Sequence, residues 1–458
     1  MAKIVIIGAG LTGLSTAYHL EKNNFYDYVI FEKEATIGGL CKSVYQNGFT
    51  FDFTGHLLHI NDAYFRSFID EVMGFDNLHT HTRNAFIFSH DTFTPYPFQR
   101  NLYGLPRNII AECIESFATR PNINQTKTYY QWVLKHFGKG FGNHFLYPYQ
   151  KKLLDYDIHK LSARWVGRFI PKTSLKEIIQ GALQKRHETE VGYNAAFFYP
   201  KSGGIFSFIK KLASKIENPI HTNMCAQKID LKNKIVRFKN GHTEKFDYLI
   251  NTMPLNVFLN SLEEKSATSL QKAANKLICN SVVNFNLGIS HSPQNAIKND
   301  PIHWIYFPEK QFPFYRLGFY NHFSPSMAPS GCSSLYGELS YYKKSKKHVS
   351  EKLEHAIEAC KKQLNIDNRD IITEKTITID HAYVIYNFWR EKHINHIHKR
   401  LHEHGVYSIG RYGYWKYSSM QEAVLDGKSI VDKLLVAQEK KYWHSISEET
   451  MKAINKEQ

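Results

Sequence analysis

Residues 3–32 read KIVIIGAGLTGLSTAYHLEKNNFYDYVIFE, and this stretch sets the architecture of the N-terminal part of the chain. The β-branched run from Lys3 to Ile7 is typical of a buried strand, and Leu14 to Glu21 has the pattern of a helix. A second strand, Tyr28 to Phe31, ends at Glu32. Strand, glycine turn, helix, strand and acid therefore follow one another as in a dinucleotide-binding βαβ unit.

The three glycines of the turn, Gly8, Gly10 and Gly13, have different physical roles. The first permits the tight turn, the second lets a pyrophosphate approach the helix N-terminus, and the third lets helix pack on strand. The carboxylate of Glu32 is placed to accept hydrogen bonds from both hydroxyls of an adenosine ribose. A glycine turn without a ligand is the alternative, and the order of the whole unit argues against it.

The segment after Glu32 distinguishes two cofactor classes. A glycine pair, Gly38-Gly39, follows after five residues and is itself followed by Leu40. Dehydrogenases that use NAD usually proceed into another helix here, whereas Glu-x5-Gly-Gly resembles the flavoproteins of the amine-oxidase and protoporphyrinogen-oxidase superfamily. The resemblance implies that FAD is the cofactor.

The same resemblance implies a discontinuous FAD-binding domain. Residues 228–254 indicate a β-meander followed by a returning strand, and an amphipathic helix begins near Met420. Residues 62–190 are mostly helical by period, and residues 280–380 alternate as antiparallel strands do. We therefore expect an α/β fold: a Rossmann-like FAD-binding domain with a helical insert and an antiparallel β-sheet substrate domain. The expected bounds are 1–60, 195–255 and 400–440 for the FAD-binding domain, 61–194 for the helical substrate or nucleotide insert, 256–399 for the sheet domain and 441–458 for a polar tail.

Composition limits the class of protein and of partner. The 458 residues are 43% hydrophobic, enough to fill a large core, which argues against a disordered or fibrous chain. Lys and Arg number 58 against 42 Asp and Glu, so the net charge of +16 favours an anionic partner such as a nucleotide, nucleic acid or acidic membrane. Six dispersed cysteines indicate a reducing compartment, and no run reaches the roughly 18 to 20 apolar residues of a membrane span. We expect a cytoplasmic protein without a transmembrane segment.

Five further stretches, in the order and at the intervals of the family, resemble the UDP-galactopyranose mutases, particularly the larger eukaryotic type. Any one of them alone is weak evidence. They are Asp52-Phe-Thr-Gly55-His56, Tyr96-Pro-Phe-Gln99, the segment from Tyr149-Gln150 to Arg168, the pair Tyr306 and Arg316, and Tyr383 with Arg411 and Tyr417.

This resemblance implies an enzyme that interconverts pyranose and furanose forms of a nucleoside-diphosphate sugar, with UDP-galactose as the default and cell-surface polysaccharide biosynthesis as the setting. It implies that FAD is active when reduced, with NADH or NADPH as reductant, and that the reduced flavin N5 attacks the anomeric carbon. It implies no nucleic-acid partner and leaves the oligomeric state open. The implied residues are His56, Arg168 and Arg316 for catalysis, Tyr96, Gln99, Gln150, Tyr306, Tyr383 and Tyr417 for substrate, and Gly8, Gly10, Gly13, Glu32, Gly39, Leu40, Gly55, Arg411 and Met420 for the cofactor.

The residue types fit this chemistry independently. Two guanidinium groups can each bind two phosphate oxygens, and tyrosine hydroxyls add donors without adding charge. The alternatives are that Arg168 and Arg316 form surface salt bridges, that the tyrosines are core aromatics and that His56 is structural. Leu154 stands where the family has tryptophan, and Ser418 onward replaces its Asn-Gln-Asp-His stretch, so the base and sugar stay open.

The sequence is also consistent with two other functions. An oxidase or desaturase of the protoporphyrinogen-oxidase type shares the same FAD motif, and a flavin-binding protein without catalysis is a third hypothesis. A histidine-rich run includes His398 and His402 at helical i,i+4 spacing, but no carboxylate or cysteine joins them in a recognisable motif. We expect a solvated helix face there and no metal site.

Overall fold

The computed structural model describes residues 3–184, 195–263, 268–291 and 301–436, and the expected tail at 441–458 lies outside them. No helix within these ranges is long and apolar enough to cross a membrane. The α/β class expected from the sequence is confirmed. The chain divides into two compact units, unit 1 being Met1–Gly39, Ile209–Gln271 and Ile397–Gln458, and unit 2 being Leu40–Phe208 and Lys272–His396.

The described strands, in chain order, are β1 (Ile4–Ile7), β2 (Tyr28–Phe31), β3 (Ser43–Gln46), β4 (Phe49–Asp52), β5 (Leu78–Thr82), β6 (Ala85–Ser89), β7 (Thr92–Pro95), β8 (Ala196–Pro200), β9 (Ile220–His221), β10 (Ala226–Asp230), β11 (Ile235–Phe238), β12 (Thr243–Lys245), β13 (Tyr248–Asn251), β14 (Ser281–Ile289), β15 (Trp304–Tyr306), β16 (Arg316–Phe319), β17 (Ser333–Tyr341), β18 (Ile371–Ile379) and β19 (Val406–Ser408). The described α-helices are α1 (Leu11–Lys22), α2 (Ala63–Met73), α3 (Arg107–Ala118), α4 (Tyr129–Phe141), α5 (Tyr147–Leu154), α6 (Leu175–Leu183), α7 (Phe206–Ala213), α8 (Leu255–Asn260), α9 (Thr268–Ala274), α10 (Lys346–Leu364), α11 (Phe388–His402), α12 (Gly410–Gly413) and α13 (420–436).

Unit 1 is built on a five-stranded parallel sheet in the order β19-β13-β1-β2-β9. All four residues of β1 are buried, as expected for a central strand of a parallel sheet. Its neighbour β13 comes from far along the chain, with Ile4 opposite Tyr248. Strands β10, β11 and β12 form the predicted antiparallel meander, and β13 is the predicted returning strand.

The predicted C-terminal helix is present as α13 and packs on α1 within unit 1. Ser15 Oγ donates a hydrogen bond to the carbonyl of Val424 at 2.8 Å. A Cβ atom on Gly427 would lie 2.8 Å from the backbone nitrogen of Thr16, so only glycine allows this close approach. The last described helix therefore supports the first one.

Unit 2 contains a seven-stranded mixed sheet in the order β18-β14-β17-β16-β15-β6-β7. One face is apolar, and residues such as Phe285 and Leu335 pack there with the Cys360 side of α10. The other face carries a row of polar side chains, because Tyr306 lies opposite Arg316, Arg316 opposite Glu338, and Glu338 opposite Asn284. A buried face with this composition is unusual for a sheet and marks a candidate site.

The expectation that residues 62–190 are mostly helical is wrong for residues 78–95. The helices α2 and α6 begin at Asp62 and Ser174, which act as N-caps. Between 78 and 95, however, β5 pairs with β8, while β6 and β7 form a hairpin that extends the large sheet through β15. Partner strands more than a hundred residues away stabilise these short segments, and helical periodicity cannot detect them.

Candidate functional site

The glycine turn in unit 1 forms a cradle at the start of α1. The nitrogen of Gly8 donates to the carbonyl of Phe31 at 2.7 Å, and α1 begins directly after Gly10, an N-cap residue that has no side chain to occupy the first backbone N–H groups. A Cβ on Gly13 would lie 1.9 Å from the carbonyl oxygen of Gly8. The helix therefore approaches the turn closely and presents its backbone N–H groups, an arrangement that suits an anionic diphosphate.

Glu32 holds the same turn through both of its oxygens. Oε2 accepts from the nitrogen of Ala9 at 2.8 Å, and Oε1 accepts from the nitrogen of Glu34 at 3.0 Å. The nitrogen of Gly38 donates to the carbonyl of Ala9 at 2.8 Å, which brings the glycine pair against the turn. Each carboxylate oxygen keeps a further lone pair, so the geometry fits a ribose with two hydroxyl donors.

Three C-terminal residues expected at the cofactor or substrate lie together in unit 1. Arg411, on α12, donates from Nη1 to the carbonyl of Ser418 at 2.8 Å. Its guanidinium carbon is 5.9 Å from the ring of Tyr417. Met420 begins α13 and is buried.

Arg316 and Glu338 form the centre of the polar sheet face in unit 2. Nη2 of Arg316 donates to Oε1 of Glu338 at 2.8 Å, and Nε donates to Oε2. Burial opposes the charge of Arg316, but the fully buried Glu338 carboxylate raises its pKa well above the ordinary value. Two of the five N–H donors are thus engaged, and the outer edge of the guanidinium keeps donors for an anion.

Tyrosine rings surround this ion pair. The ring of Tyr306 lies 5.5 Å from that of Tyr96 and 5.3 Å from that of Tyr149. The ring of Tyr315 lies 6.4 Å from that of Tyr383. Burial raises the pKa of Tyr149 and Tyr315 well above the ordinary value, so their hydroxyls stay protonated. Tyr149 and Tyr315 therefore provide neutral groups beside a fixed positive charge.

Three further residues expected at the substrate or in catalysis are Gln150, Gln99 and Arg168. Gln150, on α5, is 5% exposed, and its Nε2 has no hydrogen-bond partner among the described residues. Gln99 is also buried, but its Nε2 already donates to the carbonyl of Pro171 at 2.6 Å. Arg168 lies at the end of a 3₁₀ turn, Val166–Arg168, and its side chain is outside the described residues.

Two charged residues of unit 2 escaped the sequence analysis. Arg83 is 7% exposed, and its guanidinium carbon lies 4.5 Å from the ring centre of Tyr96. Glu338 is the partner of Arg316. Glu338 carried a usable signal, because it is the single charge in a strand that otherwise reads SSLYG-LSY. Arg83 carried none, because nothing in its spacing distinguishes it from a surface arginine.

The segment from Asp52 to His56 is held in unit 2 by a buried carboxyl. Oδ1 of Asp52 accepts from Ser43 Oγ and Oδ2 accepts from Tyr199 Oη, each at 2.6 Å. Burial, which outweighs these hydrogen bonds, raises the pKa of Asp52 to about 7. Thr54 has a φ of 76°, a left-handed conformation that favours glycine.

The expectation of a solvated histidine face on α11 is wrong for His398. This residue is 4% exposed, its ring stacks on Tyr414 at 4.3 Å, and its Nε2 lies 3.2 Å from the Tyr414 carbonyl. Helical spacing alone did not show that α12 and the following turn cover this side of the helix. No cluster of three potential metal ligands occurs in the described ranges.

Comparison with known proteins places this geometry in a family. The model of the flavin-containing amine oxidoreductases matches residues 11–394. The chain belongs to this family. A crystal structure of reduced UDP-galactopyranose mutase superposes on this member with a TM-score of 0.89 and 26% identity, covering 95% of this chain and 96% of that one. The resemblance expected from the sequence is therefore confirmed.

Two further proteins are similar to this chain at lower identity or over a short stretch. A putative protoporphyrinogen oxidase from Exiguobacterium sp. 255-15 has a TM-score of 0.72 and 15% identity over 95% of this chain and 99% of that one, which shows a shared fold. A 4,4'-diapophytoene desaturase of Staphylococcus aureus (strain COL) is 37% identical over 62 residues. That match spans 14% of this chain and only 12% of the desaturase.

Proposed function

We propose that this protein is a flavin-dependent nucleotide-sugar mutase that interconverts the pyranose and furanose forms of a nucleoside-diphosphate sugar, UDP-galactose being the default. The observation that carries the proposal is the Arg316–Glu338 pair within a ring of tyrosines on the polar sheet face. An oxidase for an apolar substrate does not need such a face. The extensive similarity to reduced UDP-galactopyranose mutase supports the same activity.

The polar face would bind the diphosphate. Glu338 accepts hydrogen bonds from Nε and Nη2 of Arg316, so the opposite edge of the guanidinium would face the ligand. A guanidinium oriented in this way gives two parallel hydrogen bonds to phosphate oxygens. The hydroxyls of Tyr306 and Tyr383 would donate to the same group, and the unpartnered Nε2 of Gln150 is a donor for the nucleotide. We assign the second guanidinium of the clamp to Arg168.

The cradle of unit 1 fits FAD. Its diphosphate would lie at the N-terminus of α1, which can pack against the turn only because Gly13 has no side chain, and its adenosine ribose would bind Glu32. Gly39, Arg411 and Met420, which also belong to unit 1, would complete the contacts of this cradle with the cofactor. Bound FAD, once reduced by NADH or NADPH, would supply the nucleophile that displaces the nucleoside diphosphate from the sugar.

The proposal predicts the effect of Arg316→Ala. Removing the guanidinium leaves Glu338 buried and unpaired and removes the phosphate ligand, so affinity for UDP should fall at least tenfold, while bound FAD should be retained. The measurements are UDP titration by calorimetry and FAD absorbance of the purified variant. The double variant Arg316→Met with Glu338→Gln removes the unpaired charge and serves as the folding control. Wild-type UDP affinity in both variants would contradict the assignment.

The alternative function is an FAD-dependent oxidase or desaturase of the protoporphyrinogen-oxidase or amine-oxidase type, which is also consistent with membership of the family. Activity assays distinguish the two functions. Dithionite-reduced enzyme should isomerise UDP-galactopyranose without net electron transfer. Chromatography of the nucleotide sugars measures this conversion. Borohydride trapping with a panel of nucleotide sugars would identify the sugar by the mass of the flavin adduct. Oxygen consumption coupled to loss of an amine or apolar substrate would instead establish the oxidase.

A further inference from the structure

The hairpin that carries Tyr306 and Arg316 is fastened to α5 by one lysine side chain. Nζ of Lys152 donates to the carbonyls of Phe307 at 2.7 Å, Glu309, and Phe314 at 3.3 Å. These carbonyls lie on both arms of the turn between β15 and β16. An ammonium has three N–H donors, so its hydrogen-bonding capacity is matched by the three acceptors.

Helix α5 is itself fixed to the sheet at its C-terminal end. The carbonyl of Leu153 accepts from Asn280 Nδ2 at 2.8 Å and from Ser340 Oγ at 2.6 Å. Tyr149, on the same helix, places its ring 5.3 Å from that of Tyr306. The helix is therefore a rigid support that contacts the hairpin at two points, one aromatic and one charged.

We infer that Lys152 is a positioning residue whose ammonium holds the β15–β16 hairpin on α5 and so sets Tyr306 and Arg316 for the nucleotide. The identity of the ligand rests on the proposed function, whereas the anchoring of the hairpin does not. The amine of Lys152 is directed at backbone carbonyls of the hairpin, so we assign it no contact with the substrate.

The charge on this amine is sensitive to pH. Burial, followed by the nearby ammonium of Lys352 on α10, lowers the pKa of Lys152 to about 7, and Glu309 on the hairpin opposes this shift. Above that pH the neutral amine has two N–H donors and a lone pair facing three carbonyls, so at least one carbonyl loses its partner. The anchor should therefore weaken as the pH rises from 6 to 9.

The test compares wild type with Lys152→Met, which keeps the side chain up to the position of Cε and removes the amine, and with Lys152→Arg, which keeps the charge at every pH. Lys151→Met is the matched control, because Lys151 is the exposed neighbour on the same helix. Hydrogen exchange of a peptide covering 307–316 reports anchoring in FAD-loaded protein without nucleotide. Calorimetric titration with UDP at pH 6 and pH 9 reports the consequence for binding.

In Lys152→Met, exchange protection of 307–316 should fall at least tenfold, UDP affinity at pH 6 should fall about tenfold, and FAD content should not change. Lys152→Arg should restore the exchange protection and the UDP affinity. Between pH 6 and pH 9 it should lose less UDP affinity than wild type does. Unchanged protection in Lys152→Met overturns the inference; if that variant does not fold, equal wild-type protection factors for 307–316 at pH 6 and pH 9 overturn it. If Lys152→Met loses the expected exchange protection but wild type does not bind UDP, the proposed function is refuted and the anchoring role of Lys152 stands.

Discussion

A single carboxyl group, Asp52, should make the stability of unit 2 depend on pH. Its pKa is about 7 in the folded chain, because burial outweighs three hydrogen bonds, against roughly 3.9 in an unfolded chain. Between these values the folded state holds a proton that the unfolded state has released, so stability is greatest below about pH 4 and is lost as the pH rises toward 7. Asp52→Asn cannot ionise, and wild type should lose melting temperature relative to this variant between pH 5 and pH 8.

Differential scanning fluorimetry of both proteins across this range checks the prediction. The exposed residue Asp76 supplies the control, since Asp76→Asn should follow the wild-type curve at every pH. A melting-temperature difference between wild type and Asp52→Asn that is the same at pH 5 and pH 8 would show that Asp52 does not titrate in this window.

Individual residues were predictable where their partners are close in sequence. Gly8, Gly10, Gly13 and Glu32 form one local unit, and the structure places them around one turn. Glu338 stands out as a lone charge in its strand, but its pairing with Arg316 was not predictable, because the pairing depends on the register of two adjacent strands. Sequence spacing does not specify register unless a short turn joins the strands. Long-range pairs of this kind therefore need the structure.

Strands β16 and β17 offer a comparison between the two faces of their sheet. A Cβ on Gly318 would lie 2.3 Å from the ring of Tyr336 on the polar face, and a Cβ on Gly337 would lie 2.0 Å from the ring of Phe285 on the apolar face. Each alanine substitution overpacks the sheet and should cost about 1–3 kcal/mol of unfolding free energy. Gly318→Ala should also weaken UDP binding at least fivefold, since it displaces a ring beside Arg316.

Urea denaturation and UDP titration of the two variants separate these effects. Gly337→Ala is the matched control for the loss of stability and should bind UDP within twofold of wild type. Equal loss of UDP affinity in both variants would mean that the polar face has no special part in binding.

Local sequence patterns were sufficient to predict a helix or strand when the residues of the segment itself stabilise that structure. The strand, turn and helix at the N-terminus and the capped starts of α2 and α6 are of this kind. The strands β5 and β6 are not, because β5 pairs with β8 and β6 pairs with β15, both more than a hundred residues away. Secondary structure that depends on distant partners is the part that periodicity misses.

For the chain as a whole, unit 1 joins segments from its beginning, middle and end. The five-stranded sheet contains strands from residues 4–7, 28–31, 220–221, 248–251 and 406–408. Resemblance to a family indicated this interleaved order, whereas composition gave only a size and a positive charge. The strand that precedes the glycine turn is therefore part of a sheet whose edge strand lies four hundred positions further along the chain.

This interleaved order predicts the effect of Gly427→Val. A branched side chain there would clash with Ser15 and the backbone of Thr16, and so would separate α13 from α1, whose N-terminus forms the proposed diphosphate site. FAD affinity should fall at least tenfold, measured by flavin fluorescence, and added FAD should raise the melting temperature less than in wild type, since ligand stabilisation follows affinity. Lys433→Ala changes an exposed residue of the same helix and should leave both values unchanged. If Gly427→Val binds FAD as tightly as wild type, the C-terminal helix does not support the cofactor cradle.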